Sequence, residues 1–168
     1  MTMKEIKYGL DVVKIRLVRE DPLAPDQIID SPSAAVDAMA EMFSEYDREI
    51  FCVLNLRNDK SIINMNIVSM GSLTSSHAHP RDVFKSSILS NAAAIILMHN
   101  HPSGHVEPSA SDYSVTKQLA ECGRLLDIPV LDHIVVSGRN PANRYSFLEH
   151  GDLDNGTIQT IKTEREAR

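Results

Sequence analysis

The chain has 168 residues, 42% of them apolar and 24% charged, with a formal net charge of −6. This length gives one domain able to bury its own core, and the acidic balance excludes a strongly basic, general nucleic-acid binder while leaving room for a local patch. No run reaches the length of a membrane span, and Met1-Thr2-Met3-Lys4-Glu5 has no apolar signal core behind it, so a cytoplasmic, non-membrane protein is expected.

Residues 1–30 read as an N-terminal extension. Within it Val12 to Val18 alternates, with Val13, Ile15 and Leu17 on one side, and predicts one strand. Asp21-Pro22-Leu23-Ala24-Pro25 ends it. Ser31-Pro32 is a helix start, a serine cap followed by proline at the first helical position. Ala35, Met39, Met42, Phe43 and Tyr46 recur at helical spacing up to about Asp47. Glu49 to Leu56 reads as a buried strand, Asn58-Asp59-Lys60 as a hairpin turn, and Ser61 to Ser69 as the return strand, with Ile63, Met65 and Ile67 alternating. Gly71 to Ser76 is a loop. Pro80 opens a second helix with Val83, Phe84, Ile88 and Leu89 as its apolar face, which Asn91 can close.

A buried strand, Ala92 to Leu97, then leads into Met98-His99-Asn100-His101-Pro102-Ser103-Gly104. Pro108-Ser109 opens a third helix running to about Leu126, with Val115, Leu119, Cys122 and Leu126 inward. Ile128 to Ser137 is a strand, and a short strand follows near Tyr145 to Leu148. Residues 149–168 form a polar tail, a weak helix or disordered. Cys52 and Cys122 lack the paired spacing of a thiolate metal site and read as small buried or half-buried residues. Partial alternation of strands and helices around a hairpin predicts a three-layer α/β domain over 31–148, a mixed sheet with helices on both sides.

Chemistry concentrates at His99, His101 and Asp112. Residues two apart in an extended segment point to the same side, so both imidazoles can aim at one point. A carboxylate in the first turn of the next helix can supply a third ligand. Two His and one Asp leave a fourth tetrahedral position open, the layout of a catalytic rather than a structural zinc site. The plainer alternative is a set of polar residues at a sheet edge.

The spacing His99, one residue, His101, seven residues, Ser109, two residues, Asp112 resembles the metal-binding signature of the JAB/MPN (JAMM) zinc metalloprotease superfamily. The string His99-Asn100-His101-Pro102-Ser103-Gly104, with Pro108-Ser109 and Asp112 behind it, looks like its RadC branch. His79-Pro80-Arg81-Asp82-Val83-Phe84-Lys85, Ser90-Asn91-Ala92-Ala93-Ala94 and Leu131-Asp132-His133-Ile134-Val135-Val136 agree, and the resemblance covers Ser31 to Phe147. It implies a three-layer α-β-α fold with a mixed sheet, close in layout to the cytidine deaminase fold. It also implies one Zn2+ per chain on His99, His101 and Asp112, and hydrolysis of an amide or isopeptide bond in an unidentified peptide or protein.

The superfamily's general base is a glutamate at the start of the first core strand, and Glu49 matches that place; a solvated charge flanking a strand is the alternative. A Ser109 hydroxyl can donate to a developing oxyanion. It can equally be a helix cap, and both roles can hold at once. Ser103 reads as a turn residue, with no base beside it to activate a nucleophile. His77 and His79 repeat the i, i+2 spacing, and His79, at a helix start, reads as a helix-entry or cleft-wall residue. His105 replaces the small or acidic residue usual in this loop. His133 either orients a ligand from behind or makes a core hydrogen bond. Arg81 and Lys85 on the second helix could bind an anionic group, with a solvated helix face as the default reading.

Full-length RadC proteins carry a helix-hairpin-helix region that this chain shows no pattern for. It looks instead like the short bacterial RadC-like proteins found with mobile elements. The DNA repair label traditionally given to RadC supplies the competing reading, a metal-dependent nuclease or a non-catalytic binding factor with weak DNA association. A zinc deaminase is excluded, because the His-x-Glu and Pro-Cys-x-x-Cys elements are missing.

Overall fold

Seven successive apolar or amide residues, Ile50-Phe51-Cys52-Val53-Leu54-Asn55-Leu56, form a strand buried along its whole length. Such a run needs cover on both faces and both edges, and the fold supplies it. The structure, a computed structural model, describes residues 13–14, 16–18, 27–71, 78–154 and 157–158. In chain order the elements are α1 (Pro32–Ser44), β1 (Ile50–Leu56), β2 (Ile62–Met70), α2 (Pro80–Leu89), β3 (Ala94–His101), α3 (Ala110–Leu125), β4 (Val130–Ser137), β5 (Arg144–Ser146), β6 (Leu153–Asp154) and β7 (Thr157–Ile158).

The main sheet has the order β2-β1-β3-β4-β5. β1 is antiparallel to both β2 and β3, β3 is parallel to β4, and β5 closes the edge antiparallel to β4. This is the mixed sheet expected. Side-chain alternation divides the core into two layers. Ala35, Val36, Met39, Met42 and Phe43 of α1 pack on Ile50, Cys52, Leu54, Ile96, Met98, Ile134 and Val136. Val83 and Phe84 of α2 and Val115, Leu119 and Ala120 of α3 pack on Phe51, Val53, Ile95, Leu97, Val130 and Val135. One helix therefore covers one face and two cover the other, giving three layers. Each large side chain buried this way contributes about 1.5–3 kcal/mol.

Local signals hold at the helix starts. Ser31 caps α1, its hydroxyl accepting from Ala34 N at 3.2 Å, with Pro32 in the first turn. Lys60 takes a φ of 65° in the hairpin turn and Asn91 a φ of 50° just past α2, the left-handed geometry that ends elements. Cys52 is buried and Cys122 half-buried, and burial pushes the Cys52 thiol well above its usual range. At Gly123 a side chain would meet the Ile128 carbonyl oxygen at 2.5 Å, so glycine is needed where α3 turns back into β4.

Four expectations are corrected. The described residues of the Val12 to Val18 stretch lie in no strand, and Val13 and Val18 are 75% and 88% exposed. Alternation alone makes no strand without a partner to pair with. β2 does not hold one alternation: register shifts opposite Phe51/Cys52 and Asn55/Leu56 place Ile63 and Val68 on one core layer and Met65 and Ile67 on the other. Ile88 and Leu126, assigned inward, are 54% and 44% exposed; in α2 the buried face continues through Ser86 and Ser87 instead. Of the tail, residues 155–156 and 159–168 lie outside the described residues, while Leu153–Asp154 and Thr157–Ile158 pair as a two-stranded ribbon, neither helical nor disordered, and Leu153 is packed in the core. His77 and the loop residues after Gly71 up to Ser76 lie outside the described residues.

Candidate metal centre

β3 lies at the middle of the sheet, and its carboxyl end carries three polar residues in a row. His99 and His101 face the α2/α3 layer, and Asn100 faces the other way. The β3–α3–β4 crossover then brings the first turn of α3 back over that end, the position where open α/β sheets place their ligands. Ser109 caps α3 reciprocally with Asp112. Asp112 N donates to Ser109 Oγ at 3.2 Å, and Ser109 N donates to Asp112 Oδ2 at 2.6 Å. The Ser109 hydroxyl donates to the same Oδ2 at 2.7 Å. An acidic side chain in a first helical turn is also favoured by the helix dipole.

These elements bring the three predicted ligands together. His99 Nε2 lies 3.0 Å from His101 Nε2 and 3.4 Å from Asp112 Oδ1, and His101 Nε2 lies 3.8 Å from Asp112 Oδ2. All three can offer ligand atoms within 4.8 Å of one another, and among the described residues this is the cluster of His, Cys, Asp or Glu that could hold a metal ion. His99 is fully buried and Asp112 nearly so, while the His101 side chain is 15% exposed.

Hydrogen bonding settles where the protons are. The His105 main-chain oxygen lies 2.7 Å from His101 Nδ1. A carbonyl can only accept, so His101 carries a proton on Nδ1, and in the neutral ring Nε2 is then bare. For His99 the answer comes through two further side chains. Thr116 Oγ1 donates to the Asp112 main-chain oxygen at 2.5 Å. It must therefore accept from His133 Nδ1, 2.6 Å away. His133 Nε2 is then bare and accepts from His99 Nδ1 at 2.8 Å. His99 Nε2, like that of His101, is left with a lone pair facing the site.

Two bare ring nitrogens at 3.0 Å repel one another, and the nearby Asp112 Oδ1 adds a third acceptor. This donor set fits a bound cation. Burial, partly opposed by the Asp112 carboxylate, pushes His99 down to about 4. Burial, with the neighbouring imidazoles adding to it, holds His133 well below the ordinary range. Both rings are therefore neutral near pH 7, the form in which imidazole binds metals. Phe51 stacks on His99 with centroids 6.0 Å apart, and Phe147 stacks on His133 at 5.0 Å. These rings wall the pair off from water.

Glu49 lies outside this cluster. It is half-buried and directly precedes β1. Phe51 pairs with His99 in the antiparallel ladder, so the same register continued by two residues sets Glu49 beside His101 on the ligand face. Asn100 fixes that backbone: its side chain accepts from Ile50 N at 2.8 Å and donates to Arg48 O at 3.0 Å. Ser109 is solvent-exposed, with its hydroxyl turned to Asp112. His79 is exposed at the α2 start and makes no side-chain cap. Arg81 and Lys85 are exposed, Lys85 lying 3.5 Å from Asp82. Ser103 Oγ accepts from His105 N across the turn at 3.4 Å. His105 serves through its backbone oxygen rather than its ring.

Two contributors escaped the sequence reading, Asn100 and Thr116. Asn100 sat within the motif, and its facing away from the ligands was the available signal. Thr116 lies one helical turn beyond Asp112, a spacing that puts both on one face. The two open readings of His133 resolve into one: its core hydrogen bonds are the ones that hold His99. At Gly138 the next loop closes on the ligand strand, Gly138 N donating to His101 O at 2.9 Å, and a side chain there would meet Pro102 Cα at 2.9 Å.

A UPF0758 protein of Desulfitobacterium hafniense (strain DSM 10664 / DCB-2) is 41% identical over 150 residues, 89% of this chain and 63% of the relative. One from Rubrobacter xylanophilus is 39% identical over 145 residues, 86% of this chain and 61% of the relative. One from Salinibacter ruber is 42% identical over 123 residues, 73% and 52% of the two. The chain thus spans between about half and two thirds of the length of these relatives, whose name assigns no activity. The model of the RadC-like JAB domain matches residues 29–152, from just before α1 to just before β6, and the chain belongs to that family.

Proposed function

We propose that this chain is a zinc-dependent hydrolase that cleaves an amide or isopeptide bond in a peptide or protein. The observation that carries this reading is the convergence of the bare Nε2 atoms of His99 and His101 on the Asp112 carboxylate. Two imidazoles and one carboxylate leave one tetrahedral position free, as catalytic zinc sites do. A zinc ion held there would lower the pKa of water toward neutrality and polarise a carbonyl. Glu49 takes the proton from the attacking water and returns it to the leaving amine. Asn100 supports that role by fixing the backbone on both sides of Glu49. Ser109 turns its exposed hydroxyl from Asp112 to the oxygen of the attacked carbonyl as charge develops there.

An amide is favoured over a phosphodiester. Many nucleases use two metals about 3.5–4 Å apart to hold both attacking and leaving oxygens, and the described residues contain one ligand cluster. The test is paired cleavage of peptide or isopeptide substrates and of DNA by wild type, His99→Ala and Glu49→Gln. The proposal expects amide cleavage that disappears in both variants. Metal-dependent DNA cutting that vanishes in His99→Ala, with no peptidase activity, would put the nuclease reading first.

A further inference from the structure

We propose that Thr116 and His133 are positioning residues that hold the proton of His99 on Nδ1 and so keep its Nε2 open to the metal. This rests on the reading of the cluster as a metal centre. The polarity of the chain has a single origin. Its far end is the Asp112 main-chain carbonyl, which accepts and never donates. From there each bond is forced in turn: Thr116 Oγ1 donates to Asp112 O, His133 Nδ1 donates to Thr116 Oγ1, and His99 Nδ1 donates to His133 Nε2.

The chain also closes on itself. It begins at the backbone of one ligand, Asp112, and ends at the ring of another, His99, whose Nε2 faces the Asp112 carboxylate at 3.4 Å. One ligand sits on β3 and one on α3, and β4 supplies the link through His133. His133 and Thr116 are both fully buried, and Phe51 and Phe147 cover the rings. No water competes for these bonds, so reversing one reverses the rest. Partners behind a metal-bound histidine commonly fix its tautomer in this way.

Replacing Thr116 by Val keeps the shape and removes the acceptor for His133 Nδ1. The His133 proton then moves to Nε2, where it faces His99 Nδ1. His99 must accept that bond and carry its own proton on Nε2, directed into the site.

The test uses protein labelled with nitrogen-15 in histidine, metal-free, at a pH where both rings are neutral. Wild type should show His99 and His133 protonated on Nδ1, with a coupling across the hydrogen bond between His99 Nδ1 and His133 Nε2. Thr116→Val should move both protons to Nε2. It should also weaken zinc binding by about 10–100-fold, read by competition with a chelator, while Thr116→Ser restores both properties. A wild-type His99 protonated on Nε2 overturns the proposal without any variant having to fold. So does Thr116→Val with wild-type tautomers and wild-type zinc affinity. Failure of the metal reading looks different: wild type takes up no zinc although both rings are still protonated on Nδ1.

Discussion

His99 and His101 are two residues apart on one strand, yet they belong to different environments. His99 is part of the core. It is fully buried, stacked on Phe51, and bonded to His133 behind it. His101 belongs to the rim. It is half-buried, and its Nδ1 partner is the backbone of the loop that follows it. Asp112 bridges the two regions, nearly buried but held by the exposed cap residue Ser109. The comparison teaches that the inner half of the centre is fixed by the same packing that stabilises the fold. The outer half is fixed by turn and cap chemistry. Substitutions in the inner half should therefore lower stability and metal binding together, and those at the rim should separate chemistry from stability.

The largest effect expected is at the rim. Glu49→Gln should lower turnover by about 10²–10⁴-fold, the usual range for a general base, and leave zinc content and unfolding midpoint unchanged. A parallel fall in stability would place Glu49 among the packing residues and break the comparison. The ligand histidines sharpen it next. In metal-free protein His99→Ala should destabilise by about 2–4 kcal/mol, because it opens a cavity and strips His133 of its donor. His101→Ala should cost less, about 0.5–1.5 kcal/mol, the worth of its hydrogen bond to the His105 main-chain oxygen. Urea unfolding of the two variants with chelator present measures the difference directly, and equal losses would erase the distinction between core and rim.

Gly138→Ala tests the boundary. Its added carbon would sit 2.9 Å from Pro102 Cα, which is backbone and cannot swing aside. A loss of about 1–3 kcal/mol is expected, with weaker zinc binding as the loop carrying His101 shifts; wild-type values for both would show that the loop yields. Ser109→Ala should cost about 0.5–2 kcal/mol from the lost cap. Its fall in turnover should exceed what that destabilisation explains if the hydroxyl also serves the oxyanion. Turnover compared at temperatures where both proteins are fully folded separates the two contributions.

What the sequence reveals here follows the range of each interaction. Ser31-Pro32 and Pro108-Ser109 announce their helices because capping acts over three or four residues. The three candidate ligands are legible for the same reason: a strand period of two sets His99 beside His101, and a cap places Asp112 in the first turn of α3. Non-local pairing is where the reading falters. Val12 to Val18 alternates as a strand does, yet its described residues have no ladder to join. The β2 bulges invert an alternation that looks regular from Ser61 to Ser69, because register depends on how β1 pairs across it. His133 lies on the ligand face because β3 and β4 are parallel and Leu97 sits opposite it. Nothing within a few residues of His133 carries that information. Thr116 shows one half of its role at helical spacing from Asp112, and the other half only once β4 is in place.

The central claim is that His99, His101 and Asp112 form a zinc centre, and zinc content measures it most directly. Wild-type protein, purified and dialysed against excess zinc and then against buffer, should retain about one zinc per chain, the complement of a single catalytic site. His101→Ala is the variant to set beside it, because the rim position of His101 lets the fold persist without it. That variant should retain almost none. Full retention of zinc by a folded His101→Ala protein would contradict the account and remove this cluster as the metal site.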